Sequence, residues 1–203
     1  MARHSMIIID DFYSNPHAVR EEALNMKWYD KKGNHPGKRT DSVKDPSVKA
    51  ALEGFLNQKI ESTQYDDLTN HNGCYNLCTA LDKCWVHSDN STNYACVIYL
   101  TPNAPIESGT AIYRHKRTGL MKPPRNKDGT LNYKLHREIQ ADGQDFTCFE
   151  QIDYAANIFN RAIIYDADYF HAAVQYFGSG PEYCRLHQTF FFNTIKEIPV
   201  TIK

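Results

Sequence analysis

Three residues of this chain pair suitable chemical types with a suggestive spacing. His87 and Asp89 stand two apart in the stretch Lys83-Cys-Trp-Val-His-Ser-Asp-Asn-Ser-Thr92. On an extended backbone successive side chains alternate, so both point the same way. An imidazole and a carboxylate on one side of a strand end can reach one metal ion, and a third ligand must then come from elsewhere. The other histidines are His4, His17, His35, His71, His115, His136, His171 and His187. His171 is the strongest of these, because it follows the apolar run Ala162-Ile-Ile-Tyr165 and the turn Asp166-Ala-Asp168, and so opens the next strand. Two histidines and one carboxylate on one face, with positions left open, suit Fe(II). The same donors suit catalytic zinc, although the familiar zinc pattern of two helical histidines at i and i+4 is absent. Taken alone, a His-x-Asp triplet is a common polar turn.

A fourth residue changes its weight. The segment Cys184-Arg-Leu-His-Gln-Thr-Phe-Phe-Phe-Asn193 reads as a long strand. Alternation puts Arg185, His187, Thr189 and Phe191 on one face, and Leu186, Gln188, Phe190 and Phe192 on the other. An arginine in so apolar a strand is expected to be buried, and a buried guanidinium needs an anionic partner. No carboxylate neighbours it in sequence. The counter-charge is therefore a distant Asp or Glu, or a bound carboxylate held bidentately.

These residues must be positioned by a fold that the rest of the chain specifies. The 203 residues are 41% apolar, 23% charged and 12% aromatic, enough for one domain with a sizeable core. A net charge of −1 advertises neither a nucleic-acid nor a membrane partner. The apolar run Met6–Ile9 is too short for a signal peptide or a membrane span. Six cysteines, Cys74, Cys78, Cys84, Cys96, Cys148 and Cys184, lack CxxC spacing and read as free thiols of a reducing, cytoplasmic compartment. Met6–Ile9 reads as a strand. Asn15-Pro16 opens a helix to about Met26, and Asp45-Pro46 opens a second to about Glu61, with Val48, Leu52, Phe55, Leu56 and Ile60 as its stripe. From Gly73 the texture is β, with strands expected at 73–79, 93–101, 109–115, 158–166, 169–177 and 184–193. Residues 1–72 thus form a helical support and 73–203 a β core. The fold class is mainly β (α+β), a barrel or jelly roll buttressed by N-terminal helices. The segment 114–140 carries eight basic residues against two acidic, a net of +6. It is either a binding loop or lid, or a solvated loop balanced by acidic residues elsewhere.

In this order, His87-x-Asp89, His171 and Arg185 resemble the HxD…H…R/K pattern of the 2-oxoglutarate/Fe(II)-dependent oxygenases, and within them the prolyl-hydroxylase-like group. Val97-Ile-Tyr-Leu-Thr101 looks like the family strand whose tyrosine helps hold the cosubstrate. Ser108-Gly-Thr-Ala-Ile112, Asn160–His171 and the opening Asp-Asp-Phe-Tyr-Ser-Asn-Pro-His-Ala-Val-Arg20 are similar to further family segments. The resemblance implies a double-stranded β-helix (a cupin-like barrel) with Fe(II) on His87, Asp89 and His171. It also implies 2-oxoglutarate on that metal, with its far carboxylate on Arg185 and Tyr99, and O2 at the last position. Tyr75 and Thr189 are further cosubstrate candidates, and ascorbate is an auxiliary reductant of such chemistry. The sequence departs from the family pattern in having His187 where many relatives have Ser or Thr.

The implied reaction hydroxylates a C–H bond and releases succinate and CO2. By family analogy the substrate is a prolyl or other peptidyl residue, or a small molecule. Nucleic acid is disfavoured, since Trp28 and Trp85 read as packing residues rather than stacking platforms. The competing reading is a non-catalytic cupin-like or jelly-roll binding module whose polar residues are structural.

Overall fold

The computed structural model describes residues 5–30, 35–65, 71–89 and 91–195. His4, one of the possible third ligands, falls outside them. The chain opens with β1 (Met6–Ile9) and α1 (Pro16–Asn25). Asn15 caps α1 by accepting the Ala18 N–H at 3.2 Å, and Pro16 fills the first turn where no donor is needed. Then come β2 (Lys38–Ser42) and α2 (Pro46–Leu56), which is capped by the Asp45 carboxylate on the Ser47 N–H at 2.8 Å. The helix is shorter than its apolar stripe suggests. Asn57 adopts the left-handed conformation, φ 50°, and turns the chain into β3 (Lys59–Ile60), which a short α3 (Ser62–Tyr65) follows.

The remaining elements are β4 (Cys74–Cys78), β5 (Tyr94–Tyr99), β6 (Thr110–His115), α4 (Tyr133–Ala141), β7 (Phe149–Ala155), β8 (Ala162–Asp166), β9 (His171–Ala173), β10 (Gly178–Gly180), β11 (Tyr183–Phe192) and β12 (Thr194–Ile195). The protein is mainly β with few helices. An antiparallel sheet runs β1-β8-β5-β11-β4-β2, with β10 on β11, and a smaller one runs β7-β6-β9. β12 pairs with β3. Among the described residues the two larger sheets do not join into one hydrogen-bonded barrel. No helix among those residues is long and apolar enough to cross a membrane.

Alternation along the strands sorts the side chains into layers. One face of the large sheet presents Tyr75, Ile98, Leu186, Phe190 and Phe192 to Ala23 of α1 and to Val48 and Leu52 of α2. The other face presents Ala95, Val97, Tyr99 and Ile163 to Ile112 and Ala155 of the small sheet. Behind the small sheet, Ala111, Tyr113 and Phe149 pack against Ile139 of α4. Helices therefore cover both outer faces, and N-terminal residues also contribute the two edge strands β1 and β2.

Half of the eight basic residues of the 114–140 segment form ion pairs with acids. Its ends form β6 and α4. Arg114 pairs with Glu150 at 2.8 Å, Arg117 with Glu138 at 3.3 Å, Arg125 with Asp168 at 3.3 Å, and Lys122 with Asp166. Three of these four partners, Glu150, Asp166 and Asp168, lie outside the segment, so part of its charge is balanced from elsewhere in the fold.

Gly109, just before β6, packs tightly against the end of β7. A Cβ there would lie 1.9 Å from the Ala155 carbonyl oxygen, so Gly109→Ala must push the two strands apart. Destabilisation of about 1–3 kcal/mol is expected, as for other overpacked positions, and is measurable as a lower urea midpoint.

Candidate metal centre

β9 starts at His171, and the segment bearing His87 lies beside it. The two residues exchange backbone hydrogen bonds, His87 N–H to His171 O at 3.0 Å and His171 N–H to His87 O at 2.8 Å. Asp89 N–H donates to Ala167 O at 2.9 Å, and Val86 N–H to Gly143 O at 2.8 Å. The ladder thus fixes all three side chains on one side, as the two-residue spacing predicts. One ligand atom from each of His87, Asp89 and His171 lies within 4.8 Å of the others. His87 Nε2 is 3.7 Å from Asp89 Oδ1, and His171 Nε2 is 3.4 Å from Asp89 Oδ2.

Protonation decides what these atoms can do. His87 Nδ1 lies 3.1 Å from the Trp85 carbonyl oxygen, and His171 Nδ1 lies 2.8 Å from that of Tyr169. A carbonyl only accepts, so each Nδ1 carries a hydrogen, and Nε2 is the atom each ring can turn to a metal. Asp89 Oδ2 is shielded from solvent and accepts no hydrogen bond. Burial, and then the adjacent His171, lower the His87 pKa to about 4, so its ring is neutral at ordinary pH. Two imidazole nitrogens and a carboxylate therefore converge. An arrangement of that kind costs free energy until a cation occupies the centre, and its donor set is one a divalent transition metal accepts.

The same cavity, of about 120 Å³, is lined by Arg185, Thr110, Thr189 and Tyr176. Arg185 is only 3% exposed. Its Nε donates to Ser108 O at 3.1 Å and its Nη2 to Thr110 Oγ1 at 3.2 Å, while the Tyr99 hydroxyl donates to the same Thr110 oxygen at 2.8 Å. The guanidinium carbon lies 5.4 Å from the Tyr99 ring centre and 5.7 Å from that of Tyr176. Among the described residues no ion pair involves Arg185, and its held partners are all neutral. His187, 3.3 Å from Arg185 Nη1, is kept neutral by burial and by that cation, its pKa well below the ordinary 6.5. Thr189 lies on the cavity wall, where its Oγ1 accepts from Asn76 Nδ2 at 3.0 Å.

Tyr75 does not join this group. On β4 it faces the opposite way from Asn76 and packs in the helix-side core with Leu52 and Phe190. The expectation that it holds the cosubstrate is corrected by the phase of the strand. Tyr75→Phe should leave any ligand of the cavity bound within about twofold, whereas Tyr99→Phe, losing a hydrogen bond of about 1 kcal/mol, should weaken it about fivefold. Trp85, in contrast, lines the cavity, its ring 5.6 Å from that of His87. Thr110 was discernible as part of Ser108–Ile112, and its hydroxyl is what joins Tyr99 to Arg185.

The depressed histidines set a pH dependence for the metal-free protein. His87 and His187 have folded pKa values below the unfolded 6.5, so unfolding takes up protons as the medium acidifies. The stability they contribute is complete above 6.5 and lost progressively as pH falls toward about 4, where His87 itself titrates. Urea midpoints measured across that window should fall steadily, and His187→Gln should flatten the fall.

The overall architecture has known counterparts. HygX from Streptomyces hygroscopicus, solved with nickel, 2-oxoglutarate and hygromycin B bound, superposes with a TM-score of 0.56 at 12% identity, covering 93% of this chain and 82% of that one. A prolyl hydroxylase from Trichoplax adhaerens, in complex with a peptide fragment of the hypoxia-inducible-factor oxygen degradation domain, gives 0.53 at 13% identity, covering 93% and 83%. At such identities the likeness is one of fold. No curated protein matches the sequence. A family model described as a family of unknown function (DUF6445) matches residues 1–192.

Proposed function

The chain belongs to DUF6445, a family of unknown function, and we propose that it is an Fe(II)- and 2-oxoglutarate-dependent oxygenase. The observation that carries this reading is the convergence of His87, Asp89 and His171 in the same cavity as a buried arginine with no carboxylate partner among the described residues. A metal-ligand set alone would equally suit zinc, and a buried cation alone would suit any anion. Together they fit a small dianion that binds a metal with one end and an arginine with the other. The two facing sheets are read accordingly as a double-stranded β-helix forming one oxygenase domain.

In this reading the neutral Nε2 atoms of His87 and His171 and the Asp89 carboxylate hold Fe(II). Arg185 and Tyr99, joined through Thr110, receive the far carboxylate of 2-oxoglutarate, with Thr189 on the same wall. Val97, Tyr165 and Phe191 line the space between and limit water. Fe(II), with 2-oxoglutarate and O2, supplies the oxidation that hydroxylates a C–H bond while yielding succinate and CO2. Ascorbate serves as an auxiliary reductant in the same proposal. The two fold relatives hold hygromycin B and a peptide fragment, and a peptidyl residue is our choice of substrate for this chain. Six free cysteines favour a cytoplasmic location.

Anaerobic titration with Fe(II) and 2-oxoglutarate tests the reading. A visible metal-to-ligand charge-transfer band should grow to one equivalent of each. If no band forms with either added in excess, the proposed activity is wrong.

A further inference from the structure

Register places four side chains in a line across the inner face of the large sheet. Tyr99 on β5 faces His187 on β11, His187 faces Asn76 on β4, and Asn76 faces Arg39 on β2. Directly opposed residues share a face, so the row that begins beside Arg185 ends in a second arginine. Arg39 lines the same cavity as the three metal-ligand candidates. Its backbone is held on both sides: it exchanges hydrogen bonds with Tyr29 at 3.0 and 2.9 Å, while β2 pairs with β4.

The side chain of Arg39 is engaged by nothing among the described residues. Its Nε is buried and has no acceptor, and no ion pair there includes it. Desolvation lowers its pKa, opposed by nearby groups that include Asp89, yet a guanidinium remains charged in any protein setting. A half-buried cation on a strand, with its Nε shielded and without a partner among the described residues beside a candidate catalytic centre, is costly unless an anion arrives. Neither end of 2-oxoglutarate supplies that anion if one carboxylate lies at the metal and the other lies at Arg185, Tyr99 and Thr110.

We propose that Arg39 recognises the substrate by pairing with an anionic group on it, a carboxylate or a phosphate, and so selects acidic substrates for the centre. The inference rests on the oxygenase reading above, because that reading is what commits both carboxylates of 2-oxoglutarate. Arg39 acts in binding and positioning, and its planar fork suits either anion bidentately.

The test uses the whole chain loaded anaerobically with Fe(II) and 2-oxoglutarate. The α-amides of N-acetyl-aspartate, N-acetyl-phosphoserine and N-acetyl-asparagine, the last of them neutral, are titrated calorimetrically into wild type, Arg39→Gln and Arg39→Lys. One acidic probe should bind about tenfold or more tighter than the neutral asparagine amide, the preference expected of one charge-assisted pair. Which acidic probe wins distinguishes carboxylate from phosphate. Arg39→Gln should erase the preference and Arg39→Lys should restore part of it. In both variants the charge-transfer band and the 2-oxoglutarate affinity should stay within about twofold of wild type, because Arg185 is untouched. The proposal is overturned if wild type shows no preference, or if Arg39→Gln keeps it. It is equally overturned if Arg39→Gln weakens 2-oxoglutarate, since Arg39 would then belong to the cosubstrate. A wild type that gives no band instead removes the oxygenase reading. The same probes in metal-free protein then decide whether Arg39 selects anions.

Discussion

Asp89→Asn should lower Fe(II) affinity by more than about 100-fold, beyond the 10–100-fold usual for losing an outer hydrogen bond to a ligand. The substitution keeps the size of the side chain and removes its charge. His87 and His171 would remain as two neutral donors, and a divalent ion held by them alone lacks the anion that offsets its desolvation. The metal-free protein should respond in the opposite sense. Asp89 Oδ2 has no hydrogen bond, and the His171 Nε2 lies 3.4 Å from it, so an amide in its place is no worse accommodated and brings N–H groups that can donate. The expected signature is an unchanged or higher melting temperature without metal, and loss of the upward shift that Fe(II) gives wild type. Differential scanning calorimetry with and without metal reads both. A fall in metal-free stability together with retained Fe(II) affinity would mean that Asp89 is structural.

Arg185→Met should raise the 2-oxoglutarate Kd by at least about two orders of magnitude, the sum of two charge-assisted hydrogen bonds at about 1.5–3 kcal/mol each. Arg185→Lys should recover only part of this, because an ammonium is a point charge without the planar fork. Both variants should retain Fe(II) binding, since Arg185 touches none of the metal-ligand candidates in the contacts described. Titration of the charge-transfer band separates the two affinities in one experiment. Unchanged cosubstrate affinity in Arg185→Met would leave the cavity without its anchor.

Most of the candidate site was legible because its residues sit where strand periodicity is strict. His87 and Asp89 share a side for the reason their spacing implies, and His171 opens a strand as the preceding turn suggested. On β11 the faces were legible because Arg185, His187 and Thr189 alternate with Leu186 and Phe190. The same rule failed at Tyr75 because every residue of β4 is buried, so its sequence holds no polar phase to say which side faces the cavity. Arg39 was missed because Lys38-Arg-Thr-Asp-Ser42 reads as a polar loop; it is a strand through pairing with β4, which nothing local announces. α4 was obscured by its charges, although Leu135, His136 and Ile139 keep helical spacing behind an Asn132 cap. β7 exposes Ile152 and buries little between its ends, so its alternation is blurred.

The position of β11 bears on how such a molecule is made. This strand is nearly the last in the chain, yet it lies between β5 and β4 in the middle of the large sheet. During synthesis from the N-terminus, β4 with β2 and β5 with β8 and β1 are two halves with nothing between them until residues 183–192 emerge. Only then do the two halves acquire a shared hydrogen-bonded neighbour, and only then does Arg185 reach Thr110 and Tyr99. A nascent chain released short of that point has two open inner edges suited to pairing with other chains. Its anion anchor would be missing altogether, so partial translation products would be poor ligand binders as well as prone to aggregate.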